Sequence, residues 1–337
     1  MNSKARVAKI TDVAKAAATS PATVSRVLNR SGGVSDDLAT RVLEAAAALE
    51  YVPCGSARAL RRRTASVWAA IVSDIENPFF TAVVRGIEDV ARAHRHRLVL
   101  CNSDEDLERE ADYIDVAVAE RMAGVVIAVA SDKGSNLAAL AEHGIPVVAI
   151  DRAAGRDIDA VVVDNRRGAA EATRHLLEQG SLRVACITGP ARVRTANERL
   201  EGYRRALTRA GRSVDDALIR RADYKVSGGH EAALSLLGSP EPPDALFVAN
   251  NPMAAGALGA IRELGLTIPK DVALVAFDDS PWATLTSPPL TVVSQPAYEI
   301  GRVAAELLAS RTEVRPAQSI VLSPRLIVRE SSMRGPR

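Results

Sequence analysis

Ile10-Thr11-Asp12-Val13-Ala14-Lys15-Ala16-Ala17-Ala18-Thr19-Ser20-Pro21-Ala22-Thr23-Val24-Ser25-Arg26-Val27-Leu28-Asn29 carries two short helical patterns. About four residues separate them, the spacing of a helix-turn-helix. Ser20 followed by Pro21 marks the second start, because a serine oxygen satisfies orphan amides and proline is tolerated at the first helical position. From there Val24, Val27 and Leu28 form one apolar face, while Ala22, Arg26 and Asn29 fall on the other at i, i+4 and i+7. A helix this short needs partners to persist. A first helix over 10–17 supplies one. A third, starting at Ser35 with Asp36 and Asp37 in its first turn, supplies another through a stripe of Leu38, Val42, Ala45 and Leu49.

Working outward, Pro53 and Gly55 break the third pattern, and Leu60 stands among Arg58, Arg61, Arg62 and Arg63. Such a segment is helix-capable but too short to be stable alone. It suits folding on DNA with Leu60 driven between base steps of the minor groove. The alternative is an arginine-rich linker with Leu60 packed on a neighbouring domain.

Charge follows the same division. Net charge is only +2, yet residues 1–63 hold eleven Lys/Arg against five Asp/Glu, and the remainder holds 32 against 36. A basic head on an acidic body points to nucleic-acid contact through the head. Three scattered cysteines, Cys54, Cys101 and Cys186, argue against a disulfide framework and against zinc. No 18-residue apolar run and no hydrophobic signal core occur, so the expectation is a cytoplasmic protein without a membrane partner.

From Ser66 onward short apolar runs, mostly β-branched, alternate with amphipathic segments. Strands are expected at 67–73, 98–102, 124–130, 147–151, 160–164, 184–188, 245–249 and 273–277. Helices are expected at 80–93, 106–121, 135–143, 166–179, 198–210, 227–237, 252–264 and 296–309. Alternation of this kind means parallel sheets covered by helices on both faces, and about 270 residues suit two lobes.

Several pieces occur together: Asp12-Val13-Ala14; Thr23-Val24-Ser25-Arg26-Val27-Leu28-Asn29; Tyr51-Val52-Pro53 with Ala57-Arg58-Ala59-Leu60; Asn77-Pro78-Phe79-Phe80; Asp151-Arg152; Arg199 with Gly202-Tyr203; Asn250 with Met253-Ala254; Phe277-Asp278-Asp279; and Pro289-Leu290-Thr291. In this order and spacing the chain resembles the LacI/GalR family of transcriptional regulators. The resemblance runs from Ile10 to about Glu330.

It implies an all-α helix-turn-helix head at 1–51, a hinge at 52–64, and an α/β body at 65–330 like a periplasmic binding protein, with two doubly wound parallel-sheet lobes. The first lobe would span about 65–164 and 292–320, the second about 165–291 and 321–330. The resemblance further implies a homodimer on a near-palindromic operator, controlled by a small-molecule effector, with no cofactor. After Arg329 the chain runs only eight residues, with no leucine heptad tail, so a dimer is expected rather than a tetramer.

Carried over position by position, Pro21, Ala22 and Arg26 fall at base-reading positions. Arg26 suits a bidentate contact to guanine, with a phosphate clamp as the alternative. Ser20, Thr23, Ser25, Asn29 and Ser35 join the DNA-contacting set, Ala57 and Arg58 belong to the hinge contacts, and Leu60 is the wedge. The sequence departs from the family pattern at Lys9, at Ala18-Thr19 of the turn, and at Cys54, Asn251 and Ala276. An alanine where glycine permits positive φ costs about 1 kcal/mol.

Open α/β sheets bind ligands beyond the carboxyl ends of their strands. Ser131, Asp151, Arg152, Asn250 and Asp278 fall there, and Arg199 lies near the start of a following helix. Phe79 and Phe80 begin the first body helix, and the resemblance puts Phe80 against the ligand; packing of one of the pair into the core is the alternative. An Asp151–Arg152 surface ion pair is the alternative for those two. Arginine and aspartate beside apolar faces suit a sugar or sugar derivative, with a purine or other metabolite second. An enzyme is disfavoured, since no GxGxxG follows the first strand and neither GxSxG nor HExxH occurs. An exported sugar-binding protein is disfavoured by the basic head.

Overall fold

The computed structural model describes residues 8–28, 33–51, 66–131, 134–311 and 316–334. Asn29, Ala57, Arg58, Leu60 and the whole expected hinge at 52–64 lie outside the described residues. The chain forms two compact units, Met1–Ala65 and Ser66–Arg337.

Among the described residues the first unit is all-α: α1 (Ile10–Ala16), α2 (Pro21–Leu28) and α3 (Asp36–Ala48). Their apolar faces meet in a small core of Val13, Ala14, Ala17, Val24, Val42 and Ala46. The turn between α1 and α2 is built locally. Ala18 takes φ +51°; its N–H donates to the Lys15 carbonyl (3.3 Å), and the Thr19 N–H donates to that of Ala14 (2.9 Å). This pairing closes a helix end and normally calls for glycine. Ser20 then caps α2, accepting the Thr23 N–H at 3.1 Å. Arg41 of α3 donates to the Ala17 carbonyl at 2.7 Å and ties the third helix to the turn. The expected α3 stripe is corrected at its end. Leu49 is 38% exposed and Ala46 is buried instead, because α3 stops at Ala48 and the chain turns away at Glu50, φ +48°.

The second unit holds two six-stranded sheets. The first is ordered β11-β5-β4-β3-β1-β2: β1 (Val67–Val72), β2 (Arg97–Asn102), β3 (Gly124–Ile127), β4 (Val147–Ile150), β5 (Asp159–Val163) and β11 (Ser319–Leu322). Around it lie α4 (Pro78–Ala93), α5 (Leu107–Ala119), α6 (Ala138–Glu142) and α11 (Ala297–Ala309). The second sheet is ordered β12-β10-β9-β8-β6-β7: β6 (Val184–Thr188), β7 (Ile219–Arg221), β8 (Ala245–Val248), β9 (Ala273–Phe277), β10 (Thr291–Ser294) and β12 (Arg325–Ile327). Its helices are α7 (Asn165–Glu178), α8 (Arg194–Arg209), α9 (Val226–Leu237) and α10 (Asn251–Glu263). The strand pairs are parallel except β10 with β12. Central strands are buried on both faces, which is why they read as continuous apolar runs.

The chain passes between lobes three times, and two of the expected boundaries move. Residues 292–294 belong to the second lobe, because Thr291, Val292 and Val293 pair with Val275, Ala276 and Phe277. The return to the first lobe comes with α11. Residues 321 and 322 belong to the first lobe, since Val321 and Leu322 pair with Val162 and Val163. Helix α8 begins at Arg194, four residues before its expected start. Among the described residues, no helix is long and apolar enough to cross a membrane, and no group of His, Cys, Asp and Glu is placed to hold a metal.

Candidate functional site

The head presents one edge of α2. Pro21, Ala22 and Arg26 are exposed while Val24 faces the core. Thr23 is half-buried and shares a hydroxyl contact with Ser20 (3.0 Å). Ser25 departs from expectation: at 6% exposure it sits with Val24 on the buried side, off the edge that carries Arg26. Ser35 is exposed at the start of α3, and its hydroxyl makes no capping bond.

In the body a cleft opens between the lobes, built by strand ends and helix starts. Asn77 caps α4 by accepting the Phe79 N–H at 3.0 Å, with Pro78 at the first helical position. That start delivers Phe79 and Phe80, packed edge to face at 5.0 Å. Both are buried and both reach the cleft wall. Asp151 and Arg152 follow β4, and Asp278 follows β9. Asp151 (φ +63°) and Asp278 (φ +77°) both take left-handed backbone, at matching places in the two lobes. Asn250 caps α10, accepting the Met253 N–H (3.0 Å) and donating to the Tyr224 carbonyl (3.1 Å). Arg199 reaches in from α8, donating to Asn165 Oδ1 (2.8 Å) and the Ala249 carbonyl (2.6 Å), with its guanidinium 3.9 Å above the Phe277 ring.

The cleft therefore brings together Phe79, Phe80, Arg152, Arg199, Asn250 and Asp278. Ser131 is not among its walls. Its hydroxyl accepts the Gly134 N–H (3.1 Å) inside the loop after β3, and it lines a separate depression with Glu105 and Leu107. Sequence reasoning missed Asp74, Glu105, Thr195, Tyr224, Lys225 and Gln295. Tyr224 and Lys225 follow β7, and Gln295 follows β10. Both strands went unread, so the strand-end rule had nothing to act on.

Arg152 is 3% exposed, and the Asp151–Arg152 pair is buried rather than on the surface. Burial works against the arginine charge, but the facing Glu105 carboxylate outweighs it and holds the guanidinium protonated. Glu105 takes both Nη atoms, at 2.7 and 2.5 Å. Burial pushes the carboxyls of Asp151 and Asp278 above the usual range, against the opposing pull of Arg152 and Arg199 for the first and of Arg199 for the second. Lys225 and Asn251 bridge the lobes directly. Lys225 Nζ donates to Asp74 (2.9 Å) and Asp104 (3.1 Å), and Asn251 donates to Asn77 (3.2 Å).

Two family models match the chain. That of bacterial regulatory proteins of the lacI family covers residues 9–54, and that of the periplasmic binding protein-like domain covers residues 173–332. The chain is 36% identical over 328 residues to the ribose operon repressor of Halalkalibacterium halodurans, covering 97% of each. A solved complex of the transcriptional regulator CelR with cellobiose superposes with a TM-score of 0.74 at 32% identity, over 96% of this chain and 99% of that one. The lac repressor dimer bound to operator and the anti-inducer ONPF superposes with a TM-score of 0.81 at 25% identity, over 98% and 100%.

Proposed function

The chain belongs to the LacI family of bacterial regulatory proteins, DNA-binding transcriptional regulators controlled by an effector, and from that premise we propose a homodimeric repressor whose two heads read a near-palindromic operator. Its effector is a sugar or sugar derivative held between the lobes. The observation that carries the effector site is the meeting of Arg152, Arg199, Asn250 and Asp278 beside Phe79 and Phe80 in one interlobe cleft. Hydrogen-bonding groups around an aromatic wall match a polyhydroxylated ring with apolar faces. That CelR was solved with cellobiose supports the same class.

Ligand binding across two lobes biases their relative angle. A change there alters how the two hinge segments of a dimer pair, which is the physical content of the allostery. In the head, Arg26 is the one charged side chain on α2 and stands exposed. Its fork suits guanine O6 and N7. Pro21 and Ala22 offer apolar contact, for instance to a thymine methyl. Arg26→Ala is expected to cost ~1–3 kcal/mol on the preferred operator and to relax preference at one base pair per half-site. A competition assay over single-base operator variants checks this; unchanged preference means another residue reads that base. Leu60→Ala is expected to weaken operator binding far more than binding to random DNA.

The deciding experiment is footprinting of the intact protein on near-palindromic duplexes at moderate ionic strength, with and without candidate sugars. No protected duplex under any condition refutes the repressor reading. Light scattering that finds a lone monomer at micromolar concentration refutes the dimer.

A further inference from the structure

We propose that the cleft admits uncharged, hydroxyl-rich ligands and turns away their phosphate esters and carboxylic acids, an inference that rests on reading the cleft as the effector site. Among the described residues, five carboxylates (Asp74, Glu105, Asp151, Asp223 and Asp278) line it against three cations (Arg152, Arg199 and Lys225), and two of those cations are already neutralised by the protein. Arg152 gives both Nη atoms to Glu105 and Nη1 also to the Val129 carbonyl (2.8 Å), while its Nε lies 3.2 Å from Asp151. Lys225 is divided between Asp74 and Asp104. Arg199 alone of the three has no carboxylate ion pair among the described residues. Two of its nitrogens are engaged by Asn165 and the Ala249 carbonyl.

The capacity left over lies mainly with acceptors; Arg152 Nε, 3.2 Å from the Asp151 carboxylate, and Tyr224 Oη are the buried cleft donors without a hydrogen-bond partner among the described residues. Gln295 Oε1 is buried without a hydrogen-bond partner among the described residues. Asp278 receives Gln295 Nε2 at 2.5 Å and the Asn251 backbone N–H, and Asp151 receives the ion contact from Arg152. Each carboxylate offers roughly four lone-pair sites, so both keep room for donors. Hydroxyl groups supply donors without charge. An anionic group placed at Arg199 would instead face Asp151 and Asp278, both under 10% exposed. It would lose its hydration there and meet like charge in return. Repulsion of that kind weakens binding on the order of 100-fold at an effective protein dielectric.

The test is calorimetric titration of the full-length protein at fixed ionic strength with matched compounds: D-ribose against D-ribose 5-phosphate, and D-glucose against D-glucose 6-phosphate and D-gluconate. Inorganic phosphate is the probe for anion access. A neutral member that binds while its charged partner is at least about 100-fold weaker supports the proposal; a charged member that binds as tightly as its neutral partner, or tighter, overturns it. Glu105→Gln frees the Arg152 fork and Asp278→Asn removes one facing carboxylate, so each is expected to gain phosphate binding that the wild type lacks. Two independent variants guard against one failing to fold. Phosphate binding to the wild type that Arg199→Gln abolishes also overturns the proposal. If no sugar of either series binds, the effector assignment loses its support separately, and the phosphate arm still decides: silent wild type with responsive variants sustains anion exclusion, and silence in all three overturns it.

Discussion

Ala18 shows how far a single residue can stand from its ideal and be retained. Its φ of +51° lies where a Cβ crowds the following carbonyl, yet its N–H and that of Thr19 satisfy two carbonyls at the end of α1. Ala18→Gly keeps those bonds and relieves the crowding. It is expected to stabilise the head by about 0.5–1 kcal/mol, the relief being partly offset by the greater freedom of glycine in the unfolded chain; chemical denaturation of the two forms measures the difference. His175 is a second residue whose setting dictates a response. Its Nε2 meets the Ser332 hydroxyl at 2.8 Å, and burial lowers its pKa below the ordinary 6.5. A depressed histidine binds protons more readily in the unfolded chain. Stability is therefore expected to fall as pH drops through about 6.5 and to level off below the folded pKa. Urea midpoints from pH 7.5 to 5 for wild type and His175→Gln check this, the variant showing the flatter profile.

Elements in this body pack through close backbone approaches rather than through side chains alone. A Cβ on Gly301 of α11 would lie 1.9 Å from the Val83 carbonyl oxygen, and one on Gly86 of α4 would lie 2.1 Å from that of Tyr298. Neither can be relieved by moving a side chain, because the clash is with a neighbouring helix backbone. Gly301→Ala is expected to force the two helices apart and to cost ~1–3 kcal/mol, as overpacking of a filled core does. Thermal unfolding resolves this, and a melting temperature equal to wild type would count against the tight crossing. Most of the strands flanking this core were legible because burial on both faces makes them continuous apolar runs. β7, β11 and β12 were not, since they lie at the ends of their sheets and contain exposed polar residues such as Arg221, Ser319 and Arg325. β10 was missed for another reason: only Val292 and Val293 are apolar in Thr291–Ser294, too short an apolar run to stand out.

At the scale of the whole body, two lobes are joined by three chain passages and by the Lys225 and Asn251 contacts. The lysine is 40% exposed at its side chain and its carboxylate partners are partly exposed, so this clasp is open to screening by salt. Lys225→Met is expected to widen the mean separation of the lobes and to remove most of its dependence on salt. Distance distributions between spin labels, one on each lobe, measure both effects; an unchanged distribution would show that the chain passages and the Asn251 contact hold the cleft without the lysine. The clasp also explains how a ligand could act. A molecule that adds contacts to both lobes works with it, and one that displaces Lys225 works against it.

The division into head and body, the three helices of the head, the parallel character of the sheets and the polar cleft residues Arg152, Asn250 and Asp278 were readable from local order: a cap and a turn, an apolar period, or a polar residue at the end of a buried strand. Phe80 was placed at the ligand by the family resemblance. The rules stopped where a residue's neighbours come from elsewhere in the chain. Ser25 has the right type and spacing for DNA, and only the folded head shows it 6% exposed. Ser131 closely follows a strand, and only the folded structure shows it outside the cleft walls. Glu105, Lys225 and Gln295 come from three separate segments; the tertiary structure alone brings a loop after β2, one after β7 and the end of β10 to the same place. Charge at that cleft is a sum over distant segments, and such a sum exists only once the chain has folded.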